Sequence, residues 1–149
     1  SARASRLAAA LAIRHDEPML RMVLTSFVRP SEPDAVRRAI DEAAQKYTDR
    51  LERTNQAVNQ GERVGSAWVV DARKVKRHID RTQALLLAQE RAVYGVFIGQ
   101  DQRVSIATSM TNDIDLTRIF SMHGGMRNRV TLPLERLVEV LSFVEGPEA

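Results

Sequence analysis

Two groups of basic residues are the part of this sequence best suited to bind a ligand, because lysine and arginine donate hydrogen bonds to phosphate oxygens. The first group lies in one segment with few acids and consists of Arg73, Lys74, Lys76, Arg77 and Arg81. The second alternates with apolar residues in predicted strands and consists of Arg103, Arg127 and Arg129. We interpret all of them as candidate contacts to a nucleic-acid backbone, although solvated basic residues are also ordinary on protein surfaces.

Histidine and acidic residues form no comparable constellation in the sequence. His78 lies two residues before Asp80, but near neighbours on a helix point in different directions, whereas metal ligands must converge on one ion. Asp113 and Asp115 precede a predicted strand, and no acid-x-lysine motif follows them, so we interpret them as turn residues rather than as a two-metal nuclease site. We therefore predict neither a catalytic residue nor a metal ligand.

The motifs of several enzyme classes are missing. His123-Gly124-Gly125 is similar to the oxyanion turns of lipases, but the sequence has no Gly-x-Ser-x-Gly elbow, and we interpret the glycines as a hairpin turn. The sequence also lacks the Gly-Lys-Ser/Thr phosphate loop, and it has no cysteine that could act as a nucleophile. These observations predict a protein that is not an enzyme and needs no cofactor.

Strand-period patterns predict a sheet in the C-terminal part of the chain. Residues 93–98 and 103–110 are rich in β-branched residues and are separated by a polar turn, which predicts a hairpin. Residues 116–122 and 126–132 flank the glycine pair and predict a second hairpin. Together they predict a four-stranded antiparallel sheet.

Side-chain alternation predicts which residues share the polar face of this sheet. The face would carry Arg103, Ser105, Thr117, Arg127, Arg129 and Thr131. The methionines at positions 110, 122 and 126 are interpreted as core residues.

A helix is predicted to follow the sheet and to cover its apolar face. Pro133 fits the first turn of a helix, where its missing N–H costs nothing. Apolar residues then recur at helical spacing at Leu134, Leu137, Val138, Leu141 and Val144.

The first basic group is also assigned to a helix. Asp71 is predicted to cap it, and Val75, Ile79 and Leu86 would form its apolar stripe. The lysines and arginines between positions 73 and 81 would then form a basic flank on the surface. Residues 64–70, before this helix, fit either a strand or an irregular buried stretch, and we assign them to a strand.

The N-terminal part of the chain is predicted to be helical. Apolar residues recur at helical spacing over residues 5–13, 17–28 and 34–58. We therefore predict an α+β fold in one domain, residues 1–149, with a helical part over about residues 1–60 and an α+β part over about residues 61–149. The four-stranded antiparallel sheet and its C-terminal helix belong to the second part.

Composition limits the environment and the partners of the chain. The net charge is +3 and the pI is about 9.8, which permits a polyanionic partner. No apolar stretch is long enough to cross a bilayer, so we expect no membrane partner and a cytoplasmic location. Only 5% of the residues are aromatic, which leaves few rings for stacking on bases.

The sequence Arg129-Val130-Thr131-Leu132-Pro133-Leu134, a last strand that runs into a helix at a Leu-Pro step, resembles the ββββα unit of single-stranded nucleic-acid-binding proteins of the Whirly and Pur-alpha type. The resemblance covers about a third of the chain and concerns topology. It implies that Arg103, Arg127 and Arg129 contact a single strand from the sheet and that the units form oligomers.

We therefore predict a non-enzymatic, homo-oligomeric protein that binds single-stranded nucleic acid mainly through its phosphates. The alternative is a structural or assembly subunit of a larger particle with no nucleic-acid role, which the many amphipathic helices would also suit. Salt dependence distinguishes the two, because phosphate contacts make affinity fall steeply as salt rises.

Overall fold

The computed structural model of the protein describes residues 2–28 and 34–146. The chain divides into two compact units, residues 1–52 and 53–149. The long helix α3 (Asp34–Asn59) contributes to both of them.

The first unit is helical, as its apolar periodicity predicts. It contains α1 (Ala2–Ile13), α2 (Glu17–Val28) and the beginning of α3. Asp16 begins α2, because its carboxylate accepts a hydrogen bond from the backbone N–H of Met19 at 2.9 Å. Buried side chains from all three helices form the core of this unit, among them Leu7, Met19 and Ile40. The segment between the second and third predicted helices, residues 29–33, lies outside the described residues.

The second unit contains a five-stranded mixed sheet with the order β1-β2-β3-β4-β5. The strands are β1 (Glu62–Val64), β2 (Ala67–Asp71), β3 (Tyr94–Ile98), β4 (Arg103–Thr108) and β5 (Arg129–Pro133). Neighbouring strands are antiparallel except β2 and β3, which are parallel. The connection between these two contains α4 (Arg81–Gln89), as a parallel pair requires a crossover.

The prediction of four antiparallel strands needs two corrections. The segment before α4 forms two strands instead of one, because Gly65 adopts a φ of +58° and turns the chain between β1 and β2. Residues 116–122, predicted as a strand, instead begin with the short helix α5 (Leu116–Ile119). Asp115 caps it by accepting from the N–H of Thr117 at 3.1 Å.

This helix also bears on the resemblance to Whirly and Pur-alpha proteins. Leu116 and Phe120 are both fully buried, and their four-residue spacing lets a helix place both in the core. The run of four antiparallel strands that the resemblance needs is therefore interrupted, and the resemblance itself stays a prediction.

The prediction of a basic helix that begins after Asp71 is wrong for residues 72–80, because α4 begins only at Arg81. Asp71 does not cap a helix there; its carboxylate binds the side chain of Arg73 at 2.6 and 2.9 Å. Asp80 is the residue that caps α4, accepting from the N–H of Gln83 at 2.9 Å. The basic residues from 73 to 77 therefore lie in a loop.

Each face of the sheet is covered by a different helix. On one face, α5, a 3-10 turn (Leu134–Arg136) and α6 (Leu137–Glu145) pack on the main apolar core of the unit. On the other face, α4 packs on β2, β3 and β4. Gly95 is required there, because a Cβ at this position would lie only 2.9 Å from the Cβ of Ala88.

Within the described part of the chain, no helix is long and apolar enough to span a membrane.

Candidate phosphate-binding face

The α4 side of strands β4 and β5 brings two of the predicted arginines together with two hydroxyl groups. Ser105 is directly opposite Thr131 in the strand register, Arg103 is opposite Pro133, and Arg129 is opposite Ala107. All four polar side chains point to the same side of the sheet, because their positions alternate with those of the buried core residues Val104, Ile106, Val130 and Leu132. We call the set Arg103, Ser105, Arg129 and Thr131 the arginine face.

The two hydroxyls of this face are hydrogen-bonded to each other. The Oγ of Ser105 lies 2.7 Å from the Oγ1 of Thr131. Ser105 is completely buried, whereas Thr131 is partly accessible. Because a hydroxyl has one donor and two acceptor positions, Thr131 can donate to a ligand while it still accepts from Ser105.

Arg129 is held above the sheet by the first turn of α4. Its Nη1 donates to the Oγ1 of Thr82 at 3.0 Å, and its side chain is partly buried. No carboxylate in the described part of the chain pairs with this guanidinium, so its charge is not neutralised there. It therefore keeps donors available for an anion.

Arg81, at the beginning of α4, is by contrast paired with a carboxylate. Its guanidinium binds both carboxylate oxygens of Asp101, at 2.6 and 3.0 Å, and lies 5.4 Å from the ring centre of Phe97. The Arg81 guanidinium beside Asp101 holds the pKa of that carboxyl below its ordinary value. Arg81 thus fixes the β3–β4 hairpin and leaves ligand contacts to the arginines of the sheet.

A cavity of about 350 Å³ opens beside Arg129. Its lining consists of Met122, Gly124, Gly125, Met126, Arg129 and Thr131. Gly125 adopts a φ of +97°, which favours glycine, and a Cβ on Gly124 would meet nothing within 4 Å. We call residues 123–125 the glycine loop. Among the described residues that line this cavity, none has a carboxylate or an imidazole, so its electrostatic character is set by Arg129.

A second cavity of about 370 Å³ lies on the other side of Thr131. Its lining includes Arg103 but also the acidic residues Asp101 and Glu135. A phosphate is therefore better accommodated at Arg129 than at Arg103. The acidic cavity is better suited to groups that donate hydrogen bonds.

The other predicted contact residues lie elsewhere. Arg127 is in the turn between Met126 and Arg129, and its guanidinium approaches Asp113 at 3.3 Å. Its assignment to a strand, on one face with Arg129, is wrong because β5 begins only at Arg129. Arg73 is paired with Asp71. Lys74, Lys76 and Arg77 are exposed in the loop before α4.

Sequence reasoning missed the contribution of the glycine loop and of Thr82 to this site. The glycine pair was interpreted as a hairpin turn, and the two methionines beside it as core. Met126 is in fact 56% exposed. The signal that could have identified the loop is the glycine pair itself, because it lets the backbone approach a ligand closely.

Metal binding has no obvious location in the described part of the chain. These residues include no group of three or more histidine or acidic side chains that could hold a metal ion. What the arginine face and the glycine loop can do is bind an anion, neutralise its charge and fix its orientation.

No protein-family model matches the chain, and no curated protein matches it. Among solved structures, it is similar to the pGpG-specific phosphodiesterase PggH from Vibrio cholerae, with a TM-score of 0.54 and 12% sequence identity. The match covers 82% of this chain and 46% of that one, so this chain spans less than half the length of the phosphodiesterase.

This likeness concerns the fold, and it corrects the prediction that the chain is not an enzyme. That prediction depended on the missing catalytic motifs. The fold found here is similar to that of part of a solved phosphodiesterase, so the absence of those motifs does not exclude an enzyme.

Proposed function

We propose that this chain is the substrate-binding part of a phosphodiesterase that acts on short oligonucleotides. The phosphodiester group binds at Arg129 and Thr131, beside the glycine loop. The proposal assigns binding and orientation of the substrate to these residues.

The observation that carries the proposal is the uncompensated guanidinium of Arg129 on the wall of a cavity with a glycine loop. A guanidinium and a hydroxyl donor match the oxygens of a phosphate, and backbone at a glycine pair can approach the substrate closely. The fold similarity supports it, because the neighbouring structure is described as acting on pGpG, a dinucleotide. The exposed side chain of Met126 and the partly buried side chain of Met122 provide an apolar wall for a base.

The acidic cavity suggests how guanine would be recognised at the same time. Glu135 lies there together with Arg103. Guanine presents N–H donors, and a carboxylate accepts from such groups. A guanine base at Glu135 and a phosphate at Arg129 would lie on either side of Thr131.

Calorimetric titration of the chain with pGpG tests the proposal. We expect binding by the parent, and Arg129→Ala should weaken it about tenfold or more, because a hydrogen bond to a charged group contributes about 1.5–3 kcal/mol. Arg118→Ala is the matched control. Arg118 is an exposed arginine on α5, a helix that packs on the opposite face of the sheet.

The proposal fails if pGpG does not bind to the parent, or if Arg118→Ala weakens binding as much as Arg129→Ala does. A long single strand provides a further comparison. If it binds far more tightly than pGpG, with affinity that falls steeply as salt rises, a nucleic-acid-binding role replaces the proposed one.

A further inference from the structure

A separate cavity of about 220 Å³ lies between the end of α3 and the loop before α4. The α3 residues that line it are Arg53, Gln56, Ala57 and Gln60. Their spacing places them on one face of the helix. The loop contributes Val75, Lys76, Arg77 and Ile79. The lining thus combines three cations, two amides and an apolar floor.

The cations of this cavity are not neutralised within the described part of the chain. Arg53, Lys76 and Arg77 form no ion pair with any carboxylate described there. The Nε of Arg53 is inaccessible to solvent and has no hydrogen-bond partner. Arg53 as a whole is only partly buried, and Lys76 and Arg77 are exposed. An anion in the cavity would be attracted by the combined charge of the three side chains.

The loop is held in place by its backbone and not by its basic side chains. The side-chain amide of Gln100 donates to the carbonyl oxygens of Val75 and Arg77, the latter at 2.9 Å. At the end of the loop, the N–H of Asp80 donates to the Oγ1 of Thr54 at 3.3 Å. The side chains of Lys76 and Arg77 therefore remain available for a ligand.

We propose that this cavity is a second phosphate-binding site, at which Arg53, Lys76 and Arg77 bind a phosphate group. Three converging cations suit a group with more than one negative charge, and the amides of Gln56 and Gln60 add neutral donors. The inference is independent of the proposed function, because none of these residues belongs to the arginine face or to the glycine loop.

The phosphate can come from two sources. It can belong to a free phosphate compound, or it can be a distal phosphate of an oligonucleotide bound at the arginine face. The hairpin between β3 and β4 contacts both neighbourhoods: Gln100 binds the loop that lines this cavity, and Arg103 of the arginine face lies three residues farther along the hairpin.

Calorimetric titration with inorganic pyrophosphate tests the site directly. We expect the double variant Lys76→Ala with Arg77→Ala to weaken pyrophosphate binding about tenfold or more. Lys74→Ala is the matched control, because Lys74 is an exposed cation in the same loop that does not line the cavity. Arg118→Ala should leave pyrophosphate binding unchanged, because Arg118 is an exposed arginine that lines neither this cavity nor the one beside Arg129. Thermal unfolding of each variant checks that it is folded.

Oligonucleotides of two and five nucleotides then identify the source. If the longer one binds the parent more tightly and the double variant loses that gain, the site takes a distal phosphate. If length has no effect while pyrophosphate binds, the site takes a free phosphate compound. The inference is overturned if the parent does not bind pyrophosphate, or if Lys74→Ala weakens binding as much as the double variant.

Discussion

The buried hydroxyl of Ser105 is satisfied by its hydrogen bond with the hydroxyl of Thr131. Ser105 is fully buried, and the hydrogen bond to Thr131, at 2.7 Å, is the one described for its side chain. Thr131 is partly accessible to water. Loss of one partner therefore has different consequences from loss of the other.

We predict that Thr131→Val destabilises the chain more than Ser105→Ala does. Valine matches the shape of threonine but leaves the buried hydroxyl of Ser105 unsatisfied, at a cost of about 1–3 kcal/mol. Ser105→Ala leaves Thr131 able to bind water and should cost about 0.5–1.5 kcal/mol. Urea unfolding of both variants measures the difference, and the reverse order would contradict the described hydrogen bond.

Asp101 gives a prediction about acid stability. Its hydrogen bonds from the Arg81 side chain hold its pKa below the ordinary value when the chain is folded. The resulting stabilisation is present above the ordinary aspartate pKa of about 3.9 and is lost as the pH falls through the lower folded-state value. The carboxylate is about half exposed, so solvent screening keeps the effect small.

Asp101→Asn should therefore lose less stability than the parent between neutral pH and about pH 3. Urea midpoints measured across this range for both proteins provide the comparison. Other acids that titrate in the same range are present in both proteins, so their contributions to the loss of stability cancel in the comparison. Equal losses of stability in the two proteins would contradict a role for this ion pair.

At the scale of elements, the apolar period of helix α6 predicted the burial of some of its side chains correctly and of others incorrectly. The spacing of apolar residues predicts a buried stripe that includes Leu137, Val138 and Leu141. In the structure Val140 and Val144 are fully buried, while Val138 is 75% exposed. Leu137 and Leu141 are partly buried and line a cavity of about 340 Å³. Shortening either leucine should consequently cost less than a change at a close-packed position.

Val140→Ala and Val138→Ala make the same chemical change at a buried and an exposed position of α6, and so test which face of the helix packs on the sheet. Val140→Ala removes two buried methyl groups and should cost about 2 kcal/mol. Val138→Ala should change the free energy of unfolding by less than about 0.5 kcal/mol. Similar losses at both positions would show that α6 presents a different face to the sheet.

The sequence predicts a helix or strand well where a single hydrophobic period continues through the segment and only one residue can cap it. Helix α3 and the β3–β4 hairpin follow their patterns closely. The prediction fails where two acids compete as caps, since Asp80 and not Asp71 begins α4. It also fails at Leu116 and Phe120, whose short apolar segment is compatible with either a strand or a helical turn.

The candidate site was only partly accessible to sequence reasoning for a different reason. Alternation along a strand correctly places Arg103 and Arg129 on one face with Ser105 and Thr131. Contacts made by distant segments, such as Arg129 with Thr82, depend on tertiary packing. Local periodicity contains no information about them.

At the scale of the whole molecule, self-association stays a prediction. The resemblance implies it, and unpaired edges of a small sheet would be a physical reason for it. The edge strands are β1, which is only three residues long, and β5, which ends at Pro133. Short edge strands and proline oppose pairing between sheets, so these edges offer less reason for self-association than a longer, regular strand would.

The function proposed for the whole chain is best tested by locating the pGpG contacts with backbone amide chemical shifts. Titration of isotope-labelled protein with pGpG should shift the amides of Gly124, Gly125, Arg129 and Thr131, and Arg129→Ala should reduce those shifts. The amides of α6, on the opposite face of the sheet, should remain unchanged. Shifts concentrated on α6, or no shifts at saturating pGpG, would contradict the proposal that the arginine face and the glycine loop bind the substrate.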